Sequence, residues 1–273
     1  MPYWTAGGQR RYFKEMLSAI KRIYPYRYAL WDMAVKRLKV KYTGARLGIW
    51  WAVINPLLVM LAVTFVFVGV FKIEIINFPL FALAGIFPWL FFSGALSEST
   101  NSILAQQNIL RQFNLPCEII PLSSILADFL NFLIGWVIIY PVFLWFKPAV
   151  IRLMPFLAIV ILLQLLFTCG LGVFLSAANV FLRDIAQLLS VLLMLWFWVT
   201  PVFYSQEMVP QPFVWLFGLN PMAPYIIFFR DILYLGKAPG ILTFIGVFFW
   251  AFISITFGWY MFLRLEPKLL KRI

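Results

Sequence analysis

The sequence has no histidine, two cysteines in 273 residues, and charged side chains at only 12% of positions. Each scarcity removes a class of function. Without histidine there is no Ser-His-Asp triad, no H-E-x-x-H zinc site and no imidazole proton shuttle. No G-x-x-x-x-G-K-[ST] loop is present to cradle nucleotide phosphates, and no close carboxylate pair falls within an apolar run, so catalysis by this chain is not expected. A whole predicted span separates Cys117 from Cys169, which predicts neither a disulfide nor a metal cluster. Fixed-period repeats and Gly/Ser linkers are also missing, so a second folded domain is not expected.

What is abundant is apolar surface. Hydrophobic residues make up 64% of the chain, where an ordinary soluble domain is about half apolar and about a quarter charged. A helix crosses a bilayer with about twenty apolar residues. Such runs lie near Leu47–Val70, Phe78–Leu96, Leu122–Phe146, Met154–Phe181, Ile185–Phe203 and Ile241–Leu263. The expected fold is an all-α polytopic membrane protein with six transmembrane helices, both termini on one side. Of the 22 Lys and Arg, 17 fall in the N-terminal segment, the second and fourth loops and the tail. The positive-inside rule therefore puts both termini in the cytoplasm and the protein in the inner, or cytoplasmic, membrane. On this reading the net charge of +12 is a membrane edge that meets lipid headgroups and not a nucleic-acid surface. The first apolar run begins too late to be a cleavable signal.

Residues 1–46 form an expected cytoplasmic interface segment, 47–263 a membrane domain and 264–273 a cytoplasmic tail. In the first segment Tyr12, Phe13, Met16, Leu17, Ile20, Ile23 and Tyr24 recur at helical spacing opposite Arg10, Arg11, Lys14, Lys21 and Arg22. That pattern predicts an amphipathic helix in the membrane interface, broken at Pro25. A second stripe follows in Trp31, Val35, Leu38 and Tyr42, with Asp32, Lys36 and Lys39 off it. Prolines 56, 88, 141 and 201 mark the spans for kinks. Between Tyr204 and Lys237 four prolines, Asn220 and Arg230-Asp231 interrupt an apolar stretch, which predicts a re-entrant helical segment dipping in from the outside before the last span. Charges inside the spans are nearly absent, so coupling to an ion gradient is not expected. Asp128, about two turns into the third span, reads as a paired or hydrated residue near the interface.

Three blocks of sequence resemble the ABC-2 type membrane components that export O-antigen, capsule and teichoic-acid polysaccharides. The first runs Lys36-Arg37-Leu38-Lys39-Val40-Lys41-Tyr42, Gly44, Leu47-Gly48, Trp50-Trp51-Ala52 and Asn55-Pro56-Leu57-Leu58. The second is Asn108-Ile109-Leu110-Arg111, Leu115-Pro116, Glu118-Ile119 and Pro121-Leu122-Ser123. The third runs from Gly170-Leu171-Gly172 through Leu175-Ser176-Ala177-Ala178-Asn179, Arg183-Asp184 and Thr200-Pro201-Val202-Phe203-Tyr204 to Leu219-Asn220-Pro221 and Phe229-Arg230-Asp231. The resemblance implies a homodimeric pore above two copies of a nucleotide-binding ATPase subunit. That partner would hold ATP and Mg, this chain would bind no cofactor, and lipid-linked polysaccharide would be the cargo. It also assigns Gln106, Gln107, Asn108 and Arg111 to coupling with the ATPase. Aromatic rings pack on the C–H faces of sugars, and Trp196, Trp198 and Tyr204, where the fifth span meets the re-entrant segment, are the candidate lining of the path. Asn220, Pro221, Arg230 and Asp231 are the candidate outer gate. The competing expectations are an ABC-2 exporter of a lipid or drug and a membrane glycan-processing enzyme.

Overall fold

In lipid a backbone has no water to bond with, so charge-poor runs satisfy their own amides as helices. The computed structural model describes residues 21–113, 115–213, 215–269 and 272, and among these every regular element is helical. In chain order the helices are α1 (Arg27–Tyr42), α2 (Trp51–Thr64), α3 (Phe78–Ala105), α4 (Gln107–Gln112), α5 (Ile119–Phe146), α6 (Met154–Phe181), α7 (Asp184–Val199), α8 (Trp215–Leu219), α9 (Ala223–Arg230) and α10 (Ile241–Leu269).

Among the described residues five helical segments are long and apolar enough to cross a bilayer: Gly48–Val70, Phe78–Ala105, Ile119–Phe146, Pro148–Phe181 and Ile241–Leu269. The expected fifth span is shorter than the sequence pattern indicated. α7 has 16 residues and so reaches about 24 Å, against a hydrocarbon core of about 30 Å. Its end has a local cause. Thr200 is extended, with φ −82° and ψ 136°, and Pro201 has no N–H with which to continue the ladder. Farther on, Gln211–Leu219 and Ala223–Leu235 form an apolar pair bent by 98°, the geometry of either a broken span or a re-entrant loop.

α3 is the hub. Of its most apolar stretch 72% is buried, against 11% for the first span. Phe87 stacks on Phe132 and meets Trp136 edge-on, and Trp136 stacks on Phe229, so an aromatic column joins α3, α5 and α9. Polar ties fix the other neighbours. Gln164 donates to the Pro88 carbonyl at 2.8 Å, and Asn179 donates to the Thr100 carbonyl at 3.1 Å while accepting from the Ala186 amide at 3.2 Å. These bonds link α6 to α3 and set the α6–α7 corner. α6 and α10 share the most extensive helix contact. Gly170 and Gly258 make it possible, because a Cβ on either would overlap backbone of the facing helix.

Of the amphipathic helix expected between Tyr12 and Tyr24, residues 12–20 lie outside the described residues. Pro25 sits in a 3-10 turn, Tyr24–Tyr26, and helix resumes at once as α1. α1 packs on α5, and of the expected stripe Val35, Leu38 and Tyr42 are half-buried while Asp32, Lys36 and Lys39 are exposed. Ala34 is its buried residue, Arg37 and Leu38 are half-buried, and Trp31 stays exposed. The turn into the first span is made at Gly44, whose φ of +84° favours glycine.

Candidate functional site

Three features meet around α3: a groove, a braced turn at one end of the bundle, and a charged dock at the other. The groove runs between α2, α3 and α7, has a volume of about 470 Å³, and is lined by serines 93, 97 and 190 together with Trp89 and Phe197. Beyond it the outward face of α7 is apolar and uncovered, with Leu188, Leu192, Leu195 and Trp198 exposed.

The three aromatic candidates go to different places. The half-buried Trp196 ring meets Trp89 and Phe92 edge-on, and its indole N–H donates to Asn220 Oδ1 at 2.8 Å. Trp198 points outward and is 60% exposed. Tyr204 turns its hydroxyl back to the carbonyls of Trp198 and Val199, at 3.2 and 2.9 Å. Trp89 and Phe197, which line the groove beside Ser93, escaped the sequence reading. Phe87-Pro88-Trp89 looks like any apolar run until the fold shows which ring faces the gap.

At the braced end Asn220 is buried and works as a four-way clamp. It accepts from Trp196 Nε1 and from the Met222 amide at 3.0 Å, and it donates to Thr200 Oγ1 at 3.0 Å and the Val199 carbonyl at 3.4 Å. Pro221 follows in the turn before α9. Arg230, also buried, donates to the carbonyls of Val202 at 2.5 Å and Tyr204 at 3.0 Å, and its guanidinium lies 3.6 Å from the centre of the Phe81 ring. Asp231 pairs instead with Lys237 at 3.3 Å. The adjacent Arg230 and Asp231 thus hold separate strands of chain: Arg230 fixes the irregular 200–204 segment to α3, and Asp231 fixes the exit toward α10.

At the opposite end Lys41 bridges two helices, donating to Asp128 at 2.7 Å and Glu98 at 2.8 Å. Tyr42 donates to Asn131 on the same face of α5. Burial works against the Lys41 ammonium, but Asp128 and Glu98 outweigh it and hold its pKa above the usual lysine value. Arg22 reaches Glu118 at 2.5 Å and Glu266 at 2.9 Å, which ties the N-terminal segment to the start of α5 and the end of α10. Burial pushes the Glu118 carboxyl up, and the Arg22 charge only partly offsets it. Sequence spacing could not pair these residues. The available signal was Asp128 itself, since a carboxylate inside a span needs a cation.

The coupling candidates sit together at this end. Gln106 is the corner between α3 and α4, with φ −120° and ψ 24°, and its carbonyl accepts from the Ile109 and Leu110 amides. α4 then presents Asn108 and Arg111 on the surface and half-buries Gln107. A cavity of about 780 Å³ separates α4 from α1, lined by Arg37, Lys41, Glu98, Gln106, Ile109 and Phe113 among others. So a short helix projects from the charged end, its root next to the Lys41 dock.

The sequence matches the profile of the ABC-2 type transporter membrane family over residues 28–234. The chain belongs to this ABC-2 family. Among curated proteins it is 33% identical over 219 residues to an O-antigen export system permease protein, RfbA, of Klebsiella pneumoniae, covering 78% of this chain and 84% of that protein. A second RfbA, of Myxococcus xanthus, is 29% identical over 226 residues, 82% of this chain and 87% of the relative. The polysialic acid transport protein KpsM of Escherichia coli is 24% identical over 206 residues, covering 72% and 78%. The matched ABC-2 region takes in the dock, the groove, α4 and the braced turn, and leaves out α10.

Proposed function

We propose that the chain is the permease subunit of an ATP-driven exporter that moves lipid-linked polysaccharide, O-antigen in particular, from the cytoplasm to the periplasm. The observation that carries this reading is the 33% identity to an O-antigen export permease across most of both chains. In this account the chain works as a homodimer, with two copies of a separate ATPase that binds ATP and Mg, and both termini lie in the cytoplasm. The uncovered apolar faces of α2 and α7 flank the groove and would meet their counterparts in a second copy, enclosing a path with serine hydroxyls and aromatic rings on its wall. Such a wall suits a sugar polymer, whose C–H faces pack on rings and whose hydroxyls exchange hydrogen bonds as it slides.

Coupling follows from rigid-body motion between two-state interfaces. The ATPase would bear on α4 through Asn108 and Arg111. Because α4 continues from α3 at Gln106, its displacement would be transmitted to the hub helix and to the Lys41 dock that straddles Glu98 and Asp128. The segment from Tyr204 to Lys237, re-entrant from the outer side, would seal and open the exit. The names of the relatives favour polysaccharide over a lipid or drug, and over glycan processing. The test is to co-purify the chain with its ATPase in lipid and follow ATP turnover with and without lipid-linked glycan. A 2:2 complex whose turnover responds to glycan, and loses that response in Asn108→Ala and Arg111→Ala, supports the assignment. A chain that neither binds an ATPase nor alters its turnover removes it.

A further inference from the structure

A second cavity lies behind the groove, on the other side of α3. Its volume is about 410 Å³ and its walls come from the end of α1, α2, α3 and α5. That volume is within the ~300–1,000 Å³ range of small-molecule sites. Two kinds of side chain line it. Trp51, Phe91 and Phe132 provide aromatic surface, while Asn55, Asp128 and Asn131 provide polar groups. The polar groups are only partly used within the fold. Asn131 Oδ1 accepts from Tyr42, and its amide nitrogen has no hydrogen-bond partner among the described residues. Asp128 is 5% exposed; one oxygen is held by Lys41 and the other is buried without a partner.

This chemistry narrows the ligand. The neighbouring groove of about 300 Å³ between α2, α3 and α5 has Asn77 as its single polar lining side chain, so it suits a lipid tail and sets the polar cavity apart. A phosphate would need an uncompensated cation, yet the Lys41 ammonium is already matched by the carboxylates of Asp128 and Glu98. What remains is a neutral ring with hydroxyls around its rim and C–H bonds on its faces. The position narrows it further. Leu90, Ser93 and Gly94 line both this cavity and the α2–α3–α7 groove. Gly94 costs its helix about 1 kcal/mol relative to alanine, and no neighbour demands it, since a Cβ there would meet nothing within 4 Å. A glycine without a packing reason, placed where two cavities adjoin, keeps the passage between them wide.

We propose that this cavity is a side pocket that admits one neutral sugar residue of the glycan while the polymer occupies the groove, and so gives the permease its own reading of sugar identity. The proposal rests on the polysaccharide reading above and adds to it a specificity site within the permease. Its test uses the full chain with its ATPase in proteoliposomes, supplied with lipid-linked glycan extracted from the source membrane. Gly94→Leu fills the passage where space is open, and Asn131→Ala removes the free amide. Each is expected to raise the KM for glycan in ATP-driven transport about tenfold, while Ile245→Leu on the exposed face of α10 leaves it unchanged. Phe132→p-benzoylphenylalanine is expected to photo-crosslink to glycan, and the added Gly94→Leu change to abolish that crosslink. An unchanged KM in both variants together with no crosslink at position 132 would overturn the side pocket and leave the exporter reading standing. A wild-type complex that hydrolyses ATP but moves no glycan would remove the exporter reading, and this proposal with it.

Discussion

Replacing Arg230 with methionine tests whether the irregular turn at the end of α7 is held by one side chain. Arg230 is 6% exposed and makes two hydrogen bonds to carbonyls that no regular helix satisfies, those of Val202 and Tyr204. Each bond from a charged donor is worth about 1.5–3 kcal/mol, and the contact with the Phe81 ring adds about 0.5–2 kcal/mol. Against this stands the cost of burying a guanidinium, several kcal/mol, which methionine does not incur. Arg230 also leaves its buried Nε without a partner, so the offset is substantial. The balance for Arg230→Met is a net loss of about 2 kcal/mol. For a chain of this size that lowers the melting temperature by roughly 4–8 °C. The assay is thermal unfolding in detergent, paired with labelling of a cysteine placed at Tyr204 in each background. The expected result is a lower midpoint and faster labelling at 204, with Arg230→Lys in between because an ammonium lacks the planar fork. A methionine variant that melts at or above wild type and labels no faster would refute the reasoning.

Other perturbations follow from the same contacts. Gly170→Leu drives a side chain into the backbone of Ser254; because the obstacle is backbone, the change should cost at least the ~1–3 kcal/mol of ordinary overpacking and lower the folded yield in detergent. Trp196→Phe keeps the ring contacts but leaves Asn220 Oδ1 with the Met222 amide as its one donor, and should lower stability by about 1 kcal/mol in the same melting assay, with a larger loss for Asn220→Ala. Lys41→Met leaves the buried Asp128 carboxylate uncompensated and should release α1, read as faster proteolysis at Lys39. Asp128→Asn in the same chain should recover most of that loss, as a double-mutant cycle would register. The sign of the pH dependence is fixed as well. A lysine held above its usual pKa contributes stability that is complete below about pH 10.4 and is lost only as pH rises through its folded value. Proteolysis at Lys39, with the protease's own pH profile corrected, should therefore stay flat from pH 7 to 9.5; a rise within that window would argue against the dock.

The spans were legible because lipid imposes a plain rule: long charge-free runs become helices, and the run expected at Met154–Phe181 is the helix observed. The fifth span was less legible because hydropathy continues through Val202 and Phe203 while the backbone stops at Thr200, where Pro201 withdraws a donor. In α1 the stripe of Val35, Leu38 and Tyr42 was visible, but the exposure of Trp31 and the ion pairs of Lys41 were not. Lys41 is held by Asp128 and Glu98, which lie 87 and 57 residues away in sequence, beyond the reach of a periodicity argument. The aromatic candidates show the same limit. Trp196 and Trp198 stand two residues apart on one helix, and only the position of Asn220 shows that one is a brace while the other faces outward.

The most direct measurement is ATP-driven movement of glycan itself. Proteoliposomes holding this chain and its ATPase, with the ATPase on the outer surface, are given lipid-linked glycan and ATP, and the glycan protected in the lumen is counted over time. The account predicts luminal glycan that requires the chain, the ATPase and hydrolysable ATP together. Sustained ATP hydrolysis by the assembled complex with no glycan reaching the lumen would contradict it.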